Sequence, residues 1–263
     1  MIKIGLVQAS ASRDVFENLR TIERYITEAK DKGCEVICFS EGFLTGYAPE
    51  EAEILAVERD CEAVKNISKM VSEAGCDLLV GFMERDEESL YLTHGIFKAD
   101  GECEYYRKTH LGEKEAIYFS AGNELNVVKL SCGMKIGIAL CVETHFPEIS
   151  RTLSLREAEV IFAPHAVPRA AGSRKELWGK IIPARSYDNR VYMACCNQWD
   201  NEKFGGGCIV TNPKGEVIAE CFEDREGLLT AEVDLEEVIL YHDENAGKRY
   251  RYYPSKVRKE LYE

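Results

Sequence analysis

The chain of 263 residues contains no apolar stretch approaching the roughly 20 residues needed to cross a bilayer, which excludes a membrane-spanning helix. Its opening, MIKIGLVQAS, has no basic start, long apolar core or small-residue cleavage site, so no secretory signal is read there and a cytoplasmic location is expected. No C-x-x-C pair occurs, and the five histidines (94, 110, 145, 165 and 242) do not fall at zinc-ligand spacings, so a structural metal is not expected. Positive charge is in deficit. The balance of 33 Lys and Arg against 46 Asp and Glu leaves a net charge of -13, which repels phosphate backbones and anionic lipid, so nucleic acid and membranes are not expected partners. There is no low-complexity linker and no repeat of about 20–50 residues, and one domain over 1–263 is the economical organisation.

What the chain does have is a hydrophobic fraction of 45%, enough for a large core, and eleven cysteines. An odd number of cysteines scattered over this length suits a reducing compartment, where most serve as small buried hydrophobes. Residues 2–10 read as a strand. Residues 13–33 then place Val15, Leu19, Ile22, Ile26 and Ala29 on one helical stripe closed by Gly33. Strands at 35–41 and 76–84 flank a helix around 59–74, which argues for a sheet with helices on its faces. The stretch LYLTHGIFKADGECEYYRK turns at Asp100-Gly101 as an antiparallel hairpin, so the sheets are mixed. The alternation resumes with strands at 134–140, 159–164 and 191–197 and helices at 147–158 and 173–189. Residues 205–234 read as three antiparallel strands turned at Pro213–Gly215 and Glu226-Gly227. The polar and aromatic residues from about 240 to 263 read as a tail laid over another surface.

Three strand ends carry reactive side chains. Cys141 ends the apolar run IGIAL, and Pro147 and Glu148 behind it suit the first turn of a helix. A corner of that kind exposes a nucleophile beside backbone N–H groups able to hold an oxyanion. A thiol with its ordinary pKa is only a few per cent ionised at neutral pH, so it needs a base or a cation nearby. Glu41, in ICFSEGFLTGY, is placed to be a partly desolvated general base. Lys108, in YYRKTHLGEKE, supplies a cation at a third strand end.

Together these segments resemble the nitrilase or carbon–nitrogen hydrolase superfamily, in its amidase-like branch. The similar segments are VQAS, SEGFLTGY, YYRKTHL, ALCVETHFPE, ARSYDNRVYMACCNQ, FGGGCIVTNPKGEV and KVRKELY, in family order over nearly the whole length. The resemblance implies a four-layer αββα sandwich of two mixed sheets, dimerising as αββα–αββα, with the tail packing on a partner subunit. It implies a Glu–Lys–Cys triad at Glu41, Lys108 and Cys141, a second active-site glutamate at Glu115, and an oxyanion site made by Lys108 and the backbone N–H of Val142. The implied activity is hydrolysis of a small linear amide or N-carbamoyl compound through a cysteine thioester, releasing ammonia or an amine, with no metal or organic cofactor needed. Nitrile hydrolysis by the same triad, and a non-catalytic binding or redox-sensing relative on this scaffold, are the alternatives. A Cys–His–Asp hydrolase using His145 or His165 as base is a further one.

The surroundings of the triad depart from the family pattern. His145 stands where related amidases often have arginine, Val142 where an aromatic residue is common, and Gly112 where proline is frequent. Tyr47, His145, His165 and Arg169 are candidate substrate contacts, and Arg169 and Arg174 are both candidate partners for a substrate carboxylate. Gly205–Gly207 lacks the Lys-Ser/Thr of a phosphate loop and reads as a bulge or turn.

Overall fold

A computed structural model describes residues 1–242 and 253–261. The first sheet is begun by β1 (Ile2–Gln8), β2 (Val36–Cys38), β3 (Asp77–Asp86), β4 (Ser89–Phe97) and β5 (Cys103–Arg107). Helix α1 (Val15–Asp31) joins β1 to β2. A short α2 (Ala52–Leu55) and α3 (Glu62–Ala74) join β2 to β3. The second sheet takes β6 (Val127–Lys129), β7 (Lys135–Ile138), β8 (Val160–His165), β9 (Tyr192–Asn197), β10 (Cys208–Thr211) and β11 (Val217–Cys221), with α4 (Pro147–Leu155) and α5 (Arg174–Asn189) as its crossovers. The chain then returns to the first sheet as β12 (Gly227–Val233), followed by α6 (Leu235–His242).

The two sheets run β12-β1-β2-β3-β4-β5 and β11-β10-β9-β8-β7-β6. Between them Ile4, Leu6, Val36, Cys38 and Leu79 meet Ile136, Ile138, Phe162, Ala194 and Cys196. On the outer face of the first sheet, Val7, Ile37 and Leu78 pack on Leu19, Ile22 and Ile26 of α1 and on Val64 and Ile67 of α3. On the outer face of the second, Ile161, Met193 and Ile209 pack on Leu153 of α4 and on Trp178 and Ile182 of α5. Strands buried on both faces need unbroken apolar runs, and VIC and VIFAPH supply them. The result is the expected αββα sandwich of two mixed sheets.

One expectation needs correction. Residues 205–234 do form three strands, and β10 and β11 make the antiparallel hairpin, but β12 does not continue it. It crosses to the first sheet and pairs antiparallel with β1 over its whole length, from Ile2 opposite Val233 to Gln8 opposite Gly227. Gln8 holds the connecting segment there, its Nε2 donating to the carbonyls of Glu223 and Arg225 at 3.0 and 2.6 Å. Of the tail expected over about 240–263, residues 243–252, 262 and 263 lie outside the described residues.

Candidate active site

Loops at neighbouring ends of the two sheets bring the three reactive residues together. Glu41 follows β2 in a tight turn that lies directly against β3. A Cβ on Gly81 would come within 2.3 Å of the Gly42 nitrogen, so only glycine lets the two backbones approach this closely. Lys108 follows β5, its own N–H bonded to Leu92 O and its carbonyl accepting from Gly122 N, both at 2.8 Å. Cys141 opens a short 3-10 turn, Cys141–His145, between β7 and α4, and α4 starts at Pro147 as expected. Its φ is +48°, in the left-handed region that a non-glycine residue enters only under constraint, and this strained corner is what presents the sulfur. The neighbouring Val142 N–H lies in the first turn, where amides find no acceptor within the helix.

Lys108 is the hub. Its Nζ donates to Glu41 Oε1 and to Glu115 Oε1, each at 2.7 Å, with all three side chains almost fully buried. Glu115 is saturated: Oε1 also accepts from Tyr47 OH at 2.6 Å, and Oε2 accepts from Gly112 N at 2.6 Å. Glu41 is not, because its Oε2 is buried without a hydrogen-bond partner.

The charge states follow from this arrangement. Burial pushes the Glu41 carboxyl up to about 7, Lys108 pulls it back, and Glu115 pushes it further up. Burial opposes the Lys108 charge, yet Glu41, Cys141 and Glu115 together hold its ammonium above the ordinary lysine range. Burial also works against Glu115, but Lys108, Tyr47 and Gly112 hold its carboxyl below the usual carboxylate range. The Cys141 thiol is pushed up to about 12, by burial and then by the negative charge of Glu41. At rest the site therefore holds a neutral thiol, an ammonium, one firmly ionised carboxylate and one carboxyl poised to exchange a proton near neutrality.

Glu143, two residues beyond Cys141, escaped the sequence reasoning. Its carboxylate is fully buried and accepts from Thr109 N at 2.8 Å, Thr109 Oγ1 at 2.6 Å, His110 N at 3.1 Å, Leu140 N at 2.7 Å and Tyr106 OH at 2.8 Å. It straps the Lys108 loop to the Cys141 turn. The only cue in sequence was an acidic residue just past the thiol, which a solvated turn explains equally well.

Of the expected substrate contacts, Tyr47 sits in the cluster through Glu115. His165 ends β8 fully buried, and its ring lies 4.7 Å from that of Trp178. Its Nδ1 donates to the Ala163 carbonyl at 2.7 Å, which fixes the tautomer, and burial takes its pKa down to about 3. Exposed His145 is also lowered, by desolvation and then by Arg174 and Arg185. Among the described residues neither ring has a carboxylate within ion-pair distance, so the orienting acid that a Cys–His–Asp site requires is lacking. Arg169 is engaged within its own loop region: its guanidinium donates to Asp224 at 3.0 and 2.5 Å and to the Asp200 carbonyl at 2.7 Å.

The profile of the family described as carbon-nitrogen hydrolase matches residues 3–243. The chain belongs to the carbon–nitrogen hydrolase family. It is 28% identical to an N-carbamoylputrescine amidase of Arabidopsis thaliana over 261 residues, covering 89% of this chain and 87% of the relative. It is 28% identical to an omega-amidase of Xenopus tropicalis over 268 residues, covering 95% and 94%. The crystal structure of an amidase from Nesterenkonia sp. superposes with a TM-score of 0.85 at 24% identity, over 99% of this chain and 95% of that one, which shows the shared fold. As a carbon–nitrogen hydrolase with amidase relatives, the chain is an enzyme of C–N bond hydrolysis.

Proposed function

We propose that this carbon–nitrogen hydrolase cleaves a small linear amide or N-carbamoyl compound through a thioester on Cys141, with Glu41 as general base and Lys108 as electrostatic catalyst. The observation that carries the reading is the unequal pairing around Lys108, where Glu115 is saturated and Glu41 keeps one buried oxygen free.

Glu41 takes the thiol proton as Cys141 attacks the amide carbon. The carbonyl oxygen becomes an oxyanion held by Lys108, whose third N–H is not used by the two glutamates, and by the Val142 N–H. The proton then passes from Glu41 to the departing nitrogen, so ammonia or an amine leaves as the thioester forms. Water enters, Glu41 takes its proton, and the thioester collapses to the acid with return of the proton to sulfur. Glu115 positions Lys108 throughout. A thiol that is neutral at rest suits this sequence, since a standing thiolate would add a second uncompensated negative charge to the cluster.

The same reading extends to an αββα–αββα homodimer, supported by the exposed apolar residues Leu155 of α4, Tyr187 of α5 and Ile239 of α6. The decisive experiment is a panel of carboxamides, N-carbamoyl compounds and nitriles assayed for ammonia, run beside Cys141→Ala. Turnover of amides that the variant lacks is expected. An equal rate in the variant, or ammonia from nitriles alone, would overturn the reading.

A further inference from the structure

We infer that Cys208 and Cys221 form a redox modification site, at which a small disulfide oxidises the two thiols to a reversible cross-strand disulfide. The inference does not rest on the hydrolytic reading. Strands β10 and β11 pair antiparallel with Cys208 directly opposite Cys221. Opposite residues in such a ladder share a face and keep their Cα atoms about 4.5–5.5 Å apart. That separation falls inside the roughly 4.4–6.8 Å that a disulfide spans. Cys208 belongs to the core between the sheets, and Cys221 packs against the same core. Cys221 is also the last residue of β11, the edge strand of the second sheet, so no further strand holds it from the other side.

All eleven cysteines are free thiols, and what sets this pair apart is access. Cys221 is half-buried, and both thiols border a recess of about 310 Å³ together with Gln8, Arg24, Arg225 and Leu229. Gln8 Nε2 donates to Cys221 Sγ at 3.9 Å, a bond that favours the thiolate over the thiol. Across its other edge Cys208 faces Cys196, which is fully buried. The Cys196 thiol is turned away, towards the carbonyl of Cys38 at 3.8 Å and its sulfur at 3.9 Å, between the sheets. Burial holds the Cys208 thiol well above its ordinary pKa, so Cys221 reacts first and Cys208 second.

The exchange balances in two steps. Cys221 loses its proton to solvent, and its thiolate attacks one sulfur of the small disulfide; that S–S bond breaks, a mixed disulfide forms and one small thiolate leaves. Cys208 then gives up its proton to solvent and attacks the Cys221 sulfur. The mixed S–S bond breaks, the Cys208–Cys221 bond forms and the second small thiolate leaves, each departing thiolate regaining a proton. Two protein thiols are oxidised and one small disulfide is reduced to two thiols. The second step is favoured because the attacking sulfur is already held opposite its target. The product staples β10 to β11 where the chain departs for the first sheet.

The test incubates the Cys141→Ala protein with glutathione disulfide at about pH 8 and maps its unreduced peptides by mass. A Cys208–Cys221 link with loss of two hydrogens is expected, reversed by dithiothreitol, with a Tm about 5 °C higher in the linked protein. Adding Cys208→Ala should stop the reaction at a glutathione adduct on Cys221. Adding Cys221→Ser instead should remove both the link and the gain in Tm. Either variant decides by itself, so loss of folding in one leaves the other as the test. Absence of the Cys208–Cys221 link, a link from Cys208 to Cys196 in its place, a lasting adduct on Cys221 while Cys208 is present, or a Tm gain that survives Cys221→Ser would each overturn the assignment.

Discussion

Glu41 and Glu84 are each 1% exposed and each faces arginine or lysine, yet their carboxyls are shifted in opposite directions. Glu84, in β3, is enclosed by donors. Arg107 reaches both of its oxygens, at 2.5 and 3.0 Å, Arg59 forms an ion pair at 2.6 Å, and Thr93 adds a hydroxyl. Burial alone would raise its carboxyl, but bonds from Arg107, Thr93 and Arg59 hold it below the usual carboxylate range. Glu41 has one bond from one lysine, shares that lysine with Glu115, and is pushed up to about 7. Both clusters are fed by the end of β5, because consecutive residues Arg107 and Lys108 point to opposite faces. Full pairing holds a buried carboxylate ionised; partial pairing leaves it able to exchange a proton near neutrality.

The comparison is broken most sharply at the reacting pair. Cys141→Ala removes the proposed nucleophile and should abolish turnover. Glu41→Gln keeps the shape and removes the proposed base, so kcat/KM should fall about a thousandfold, with Cys141 still present to be alkylated. The same variant has a stability signature. The folded carboxyl of Glu41 is raised above its unfolded value, so its contribution is present below about pH 4.5 and is lost as pH rises through about 7. The melting temperature of Glu41→Gln relative to wild type should therefore increase between pH 5 and pH 8. A relative decrease would show that Glu41 is paired like Glu84 and is not the base.

The pH profile is the next largest effect. Glu41 accepts a proton only when ionised, so kcat/KM for an uncharged amide should climb about tenfold per pH unit up to about 7 and then level off. The thiol, at about 12, adds no limb in the neutral range. A profile already flat at pH 5 would contradict the partial pairing. Glu143→Gln sits below this, with a fall of about tenfold, because the amide cannot accept from all the donors that strap the Lys108 loop to the Cys141 turn.

Most of the frame was legible in sequence because its signals are local. The stripe of α1, the Asp100-Gly101 turn and the apolar runs of β7 and β8 each have a period or a turn residue to show them. The partner of β12 was not legible, since alternation marks a strand without saying which edge it joins. That choice is made by Gln8, more than 200 residues away. Glu41, Lys108 and Cys141 were visible as three charged or nucleophilic strand ends, and on these the proposed triad rests. Glu143 was hidden because its donors come from a different loop, and Arg169 and Arg174 looked alike because the Asp224 that separates them lies 55 residues beyond Arg169.

The smallest effect lies at Glu84 and tests the other half of the comparison. Glu84→Gln keeps the volume and can still accept hydrogen bonds, but it leaves Arg59 and Arg107 without their shared charge. Both arginines are partly solvated and Arg107 keeps Asp86 at 2.6 Å, which limits the penalty to about 1–3 kcal/mol. The loss should appear in urea unfolding at pH 7 and fade towards low pH, because the depressed carboxyl of Glu84 contributes only where it is ionised and loses that contribution as it protonates. Per folded molecule, kcat/KM should change less than tenfold, since Glu84 bonds Arg107, the neighbour of Lys108, and not Lys108 itself. A collapse of activity with unchanged stability would mean that the two clusters are one machine joined through β5, and that saturation of a buried carboxylate does not by itself mark it as structural.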